Sequence, residues 1–219
     1  MRITGVVLAF ALLTGMTASC GLGEGVFGGS AGKQELSRAR KALAEVEDPS
    51  VDFTERAEAA WQPPFVPAKR ECGRLFELAE GKASDLASAT TAESTSFRGN
   101  RLGETAGVVL AAYAPSGARQ ALRTVADLMR DCPVAAVKSA GGGDRLVGSP
   151  LPVGDIGDGV EARRFKGRVG GYPYEMHLVV VRSGDMVISL VHTGLAKLDP
   201  GRTQRLATVL AAKVHEAAQ

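Results

Sequence analysis

Tyr174-Glu175-Met176-His177-Leu178-Val179-Val180-Val181-Arg182-Ser183-Gly184-Asp185-Met186-Val187-Ile188-Ser189-Leu190-Val191-His192 is the stretch on which the fold turns. Two runs rich in β-branched residues, Tyr174–Arg182 and Met186–His192, flank Ser183-Gly184, a two-residue hairpin signal. An even loop centred on that dipeptide sets Val180 against Val187, Leu178 against Ser189 and Met176 against Val191. On the other face Val179 meets Ile188, His177 meets Leu190 and Glu175 meets His192. Both faces are apolar near the turn. The hairpin is therefore expected to be central, with one face under helices and the other partly covered.

Working outward, further strands are expected around Arg145–Gly148 and Val160–Val169, after a Gly141-Gly142-Gly143 loop. The clearest helix precedes them, with Ala118, Ala121, Leu122, Val125, Leu128, Met129 and Cys132 at helical spacing and Pro133 ending it. Residues 93–113 read as two strands joined around Gly99-Asn100, although the alanines of Thr105–Tyr113 leave a helix open. A helix over Lys69–Glu80 carries the stripe Cys72, Leu75, Phe76 and Ala79 and stops at Gly81. Pro63-Pro64 and Pro67 form a connector, residues 51–61 include a short strand, and residues 34–47 form an amphipathic helix ended by Pro49. The chain closes with a helix capped by Asp199, opened by Pro200 and striped by Leu206, Leu210, Val214 and Ala217. Helices ahead of and behind a hairpin-connected, mostly antiparallel sheet make the fold class α+β.

The N-terminus carries an address. Arg2, the apolar run Val6–Leu13 and the small residues Thr17-Ala18-Ser19 before Cys20 compose a secretory signal. Thr17-Ala18-Ser19-Cys20 resembles a bacterial lipobox, whose cysteine is diacylated and becomes the first residue of the mature protein. Thr17 stands where that pattern prefers an aliphatic side chain, and an ordinary secretory signal with Cys20 as a spare thiol is the plainer alternative. The apolar run is too short for a permanent membrane span. Glycines crowd residues 21–32 and suit a flexible stalk. The expected organisation is a signal peptide over 1–19, lipidated Cys20 and stalk over 20–33, helix and Pro-rich connector over 34–68, and an α+β domain over 69–219.

Removing residues 1–19 leaves 200 residues with 25 basic and 24 acidic side chains, a balance that argues against nucleic acid as a partner. With Cys20 acylated, Cys72 and Cys132 remain as an even pair in an oxidising compartment. Both lie on buried helix stripes. A bridge would close a loop of 60 residues and stabilise the fold by about 4 kcal/mol on the chain-entropy model. A buried unpaired role for each is the alternative. No Cys-x-x-Cys spacing points to redox catalysis.

Candidate chemistry is sparse. Glu175, His177 and His192 fall on one face near the open end of the hairpin, a set that suits a metal or proton transfer. The plainer reading, which we prefer, is a cross-strand Glu–His pair at a solvated sheet end, because no third strong ligand is identifiable. No catalytic residue, metal or cofactor is expected. Gly141-Gly142-Gly143 lacks the residues of a phosphate loop, and no Gly-x-Ser-x-Gly elbow occurs. Asp155, Asp158 and Glu161 lack the calcium-loop pattern, and His215 reads as a surface residue. Arg163, Arg164, Lys166 and Arg168 form a basic cluster that strand alternation splits across two faces. It reads as a guarded edge strand, with an anion-binding patch as the alternative.

From about Glu71 to Ala217 the order of elements resembles the extracellular sensor domain of PknH-type bacterial serine/threonine kinases and the free-standing lipoproteins that share it. The residues that carry the resemblance are the helix with Cys72, then Tyr113-Ala114 leading into the helix Ala118–Met129 closed by Cys132. The Gly154-Asp155 turn, the hairpin Val181-Arg182-Ser183-Gly184-Asp185 and the last amphipathic helix follow. The resemblance implies an antiparallel sheet with helices on one side, a cleft for an unidentified ligand, disulfide support, no catalysis and a Gram-positive, high-GC source. That kinase domain has two disulfides where this chain offers one. The kinase is absent, so any signal needs a separate partner.

The expectation is a non-enzymatic lipoprotein on the extracytoplasmic face of the cell membrane, held by a diacylglyceryl anchor, with a sensor-like domain for a small ligand. The alternative is an envelope scaffold or accessory protein that binds a membrane protein.

Overall fold

A computed structural model of the chain describes residues 34, 37, 41, 53, 55–57, 59–82, 89–114, 116–138, 143–195 and 197–218. The signal peptide, Cys20 and the glycine-rich stalk lie outside the described residues, as does most of the helix expected over 34–47; Gln34, Ser37 and Lys41 within it are helical and exposed.

Among the described residues eight antiparallel strands form one sheet in the order β1-β2-β3-β8-β7-β6-β5-β4. They are β1 (Glu55–Arg56), β2 (Ala89–Arg98), β3 (Thr105–Tyr113), β4 (Val134–Ala136), β5 (Arg145–Pro150), β6 (Gly159–Val169), β7 (Tyr172–Ser183) and β8 (Met186–Gly194). The helices are α1 (Arg70–Glu80), α2 (Gly117–Asp131) and α3 (Pro200–Ala218). The sheet is two meanders, β1–β3 and β4–β8, closed by pairing β8 against β3. This is the α+β class read from the sequence. β3 is a strand despite its alanines, because each is buried beside β2 and β8.

Helices cover both faces, not one. α1 and α2 pack on one face through Leu75, Phe76, Leu78, Val125, Leu128 and Met129, against Phe165, Leu178, Val180 and Val191. α3 packs on the other through Leu206, Leu210 and Val214, against Val108, Val179, Val181 and Leu190. Alternation along the strands sends successive side chains into different cores, which is why β7 and β8 read as nearly continuous apolar runs. Each large aliphatic side chain buried in this way contributes about 1.5–3 kcal/mol.

Local punctuation matches the chemistry. Gly81 ends α1 at φ 86, where its N–H reaches the carbonyls of Glu77 and Leu78. The Asp199 carboxylate accepts the Gly201 N–H at 2.9 Å and caps α3. The segment before α1 wraps the β1 edge of the sheet. Phe53 is buried on the α3 face, and Trp61 and Phe65 are buried on the α1 face. Gly107 makes room for that wrap, since a Cβ there would stand 2.4 Å from the Trp61 Cβ.

The central hairpin turns at Gly184-Asp185 rather than Ser183-Gly184, with Gly184 at φ 60. The Asp158 carboxylate holds this turn by accepting the Gly184 N–H at 2.7 Å. The pairing therefore moves by two residues: Val180 meets Ser189, Val179 meets Leu190 and His177 meets His192. A shift of two keeps every side chain on its expected face. β6 lies between β5 and β7 and is not an edge, so the edge-guard reading of its basic residues is set aside. The strand that covers it is β5, and the three-residue β4 forms the edge beyond.

Candidate functional site

Glu175, His177 and His192 do converge, but in the interior. Glu175 is 3% exposed and both histidines are fully buried beneath the first turns of α3. The solvated sheet end expected for them is closed by Thr203 and Arg202, and Glu175 pairs with His177 on its own strand rather than with His192. Thr203 Oγ1 lies 2.7 Å from His177 Nδ1 and 2.8 Å from His192 Nδ1. His177 Nε2 lies 3.0 Å from Glu175 Oε1, and His192 Nε2 lies 2.9 Å from Glu104 Oε1. Arg202 Nη2 donates to Glu104 Oε2 and to Asn100 Oδ1, each at 3.2 Å, and the Arg101 N–H adds a third donor to Glu104. Phe53 stands edge-on to His192 with ring centroids 5.3 Å apart, and the Arg202 guanidinium lies 5.7 Å from the Phe53 ring.

Hydrogen-bond counting assigns the protons. Four contacts in series, Glu175–His177–Thr203–His192–Glu104, need four protons. Two neutral imidazoles and one hydroxyl supply three. The Glu175–His177 contact is where a fourth is needed, and Arg202 offsets the charge of Glu104. His192 stays uncharged because burial pushes its pKa down to about 4 against the opposing pull of Glu104. Burial likewise lowers His177, opposed by Glu175. Every imidazole nitrogen is committed within the protein. Among the described residues no group of three His, Cys, Asp or Glu could hold a metal ion. The cluster locks α3 to β7, to β8 and to the turn that leads into β3.

Glu104, Arg202 and Thr203 were not legible as site residues. Glu104 and His192 are 88 positions apart and meet only because β8 closes against β3. The available signal was the charged and hydroxyl residues of the first turn of α3, which follow the Asp199 cap directly.

Among the described residues the opposite face carries several recesses bordering α1. Cys72 and Cys132 form a disulfide that pins the first turn of α1 to the end of α2. Lys69 Nζ donates to the Asp131 carbonyl beside it at 2.5 Å. Beyond this clamp, a seam between α1 and α2 is lined by Leu78, Val125, Val109, Tyr113 and Ser189, and its volume is about 10 Å³, room for one water. Ser189 Oγ is buried there without a hydrogen-bond partner. A larger groove of about 370 Å³ runs between the proline-rich segment and α1. Its lining includes Phe65, Phe76, Pro63 and Pro67, with Val66, 84% exposed, also part of the lining. Glu77, Glu80 and Lys82 supply its charged groups, the last two as an ion pair. Gly73 belongs to the groove wall, and a Cβ added there would meet only the Pro67 carbonyl, at 4.0 Å. This size and lining fall within the range of small-molecule pockets.

These features define an antiparallel α+β domain with a disulfide-clamped helix pair over one face of the sheet. No family model matches the chain, and no curated protein matches it in sequence. Among solved structures it is similar in fold to the extracellular domain of PknH from Mycobacterium tuberculosis, with a TM-score of 0.54 at 11% identity. That match covers 83% of this chain and 90% of the other. Among the described residues no helix is long and apolar enough to cross a membrane.

Proposed function

We propose that this chain is a non-enzymatic lipoprotein on the extracytoplasmic face of the membrane, whose sensor-like domain binds a small, largely apolar molecule in the groove along α1. The observation that carries this reading is the groove itself, about 370 Å³ over the buried rings of Phe65 and Phe76 with a few polar groups from α1. The lipobox-like Thr17-Ala18-Ser19-Cys20 supports the anchor. The likeness in fold to the extracellular domain of PknH supports an address outside the cytoplasm. The polar cluster under α3 supports binding over catalysis, since its groups are spent on one another. Native mass spectrometry of the protein purified from its own envelope tests the reading. A discrete added mass, released on denaturation, is expected. An empty domain that instead brings down one membrane protein contradicts it and supports an envelope accessory role.

A further inference from the structure

The basic residues of β5 and β6 have a use that near-neutral net charge conceals. Alternation puts Arg164, Lys166 and Arg168 on the α3 face, and the register sets Arg145 directly opposite Arg168 on that same face. Like charges paired across strands oppose folding, so four cations gathered on one face without a carboxylate partner call for an external one. Among the described residues none of the four is paired with a carboxylate. Arg164 donates to Ser149 Oγ and Arg168 to the Gly171 carbonyl. The nearby acids are already engaged: Glu175, opposite Lys166, is spent on His177, and Asp144, beside Arg145, accepts the Gly170 N–H at 2.7 Å. The group is a strip along two strands, which fits a planar array of anions better than a single point charge.

Next to Arg168 the β6–β7 hairpin ends in Gly170-Gly171, where an added Cβ would meet nothing within 4 Å, and in Tyr172, 68% exposed. Tyr172 lies on the other face, in register with Val169, and the open tip leaves the cations accessible to a lipid headgroup boundary.

We propose that this end of the domain, with Arg145, Arg164, Lys166 and Arg168, docks on the anionic lipid headgroups of the membrane to which the chain is tethered. The proposal rests on the lipid-anchored reading. Docking there would hold the domain flat to the surface instead of leaving it to swing on its stalk.

The test uses residues 21–219, so that no acyl chain contributes, in co-sedimentation with phosphatidylglycerol-containing and pure phosphatidylcholine vesicles. Binding to the anionic vesicles alone, weakening as salt rises, is expected. Neutralising three cations together (Arg145→Gln, Lys166→Gln, Arg168→Gln) should lower it on the order of 100-fold. Arg119→Gln with Arg123→Gln, on the exposed side of α2, should leave it unchanged. Equal binding to both vesicle types, no loss in the triple variant, or binding to soluble heparin but to no vesicle overturns the proposal. Failure of the anchoring reading shows separately, as no acyl label on Cys20 when cells are fed an alkyne fatty acid.

Discussion

His177 and His192 stand opposite each other on β7 and β8, edge to face with ring centroids 5.9 Å apart, and aim their Nδ1 atoms at one hydroxyl. A pair of buried imidazoles on a central sheet suggests chemistry when read as a sequence. In the fold they are the two arms of a lock whose pin is Thr203.

That arrangement makes Thr203 the residue to change. Thr203→Val keeps the shape and leaves both Nδ1 atoms without a partner, so unfolding in urea should show a loss of about 2–4 kcal/mol. Thr203→Ser, which restores the hydroxyl, should recover most of it.

Stability should fall with acid in a defined window. His192 titrates at about 4 in the folded protein and near 6.5 when unfolded, so between these values the unfolded chain binds the extra proton. The stability that His192 contributes as a neutral group is present above pH 6.5 and is lost as pH falls toward 4, by about 3 kcal/mol. Urea midpoints across this range should decline in the native protein and decline less in His192→Gln.

The wrap of the N-terminal segment over the sheet depends on an absent side chain. Gly107→Ala drives a methyl group into Trp61, and thermal unfolding should report a loss of about 1–3 kcal/mol.

The Cys72–Cys132 bridge closes 60 residues and clamps α1 to α2. Replacing both cysteines by alanine should cost about 2–5 kcal/mol in denaturant unfolding. Because α1 forms one wall of the groove, any groove ligand should also dissociate faster.

Much of this architecture was readable because it is local. The stripes of α1, α2 and α3, the Gly81 and Asp199 caps and the central hairpin each depend on neighbours a few residues away. A turn placed one residue early shifted the hairpin register by two, which exchanged partners but no faces, so Glu175, His177 and His192 were still grouped correctly. What could not be read depends on distant pairing. Glu104 reaches His192 only through the β3–β8 seam. The prolines at 63–67 looked like a connector because nothing local shows that Phe65 lies 6.0 Å from Phe76, ring to ring. The cations of β6 looked like an edge because nothing local shows that β5 pairs along it.

The central claim is that the groove along α1 binds a small apolar molecule, and Gly73→Leu tests it most directly. The leucine fills the groove while raising helix propensity by about 1 kcal/mol, so the variant should fold at least as well as the native chain. In native mass spectra of the two proteins purified side by side from the same envelope, the account predicts an added mass on the native chain and none on Gly73→Leu. The same mass on both, with both folded, would contradict it.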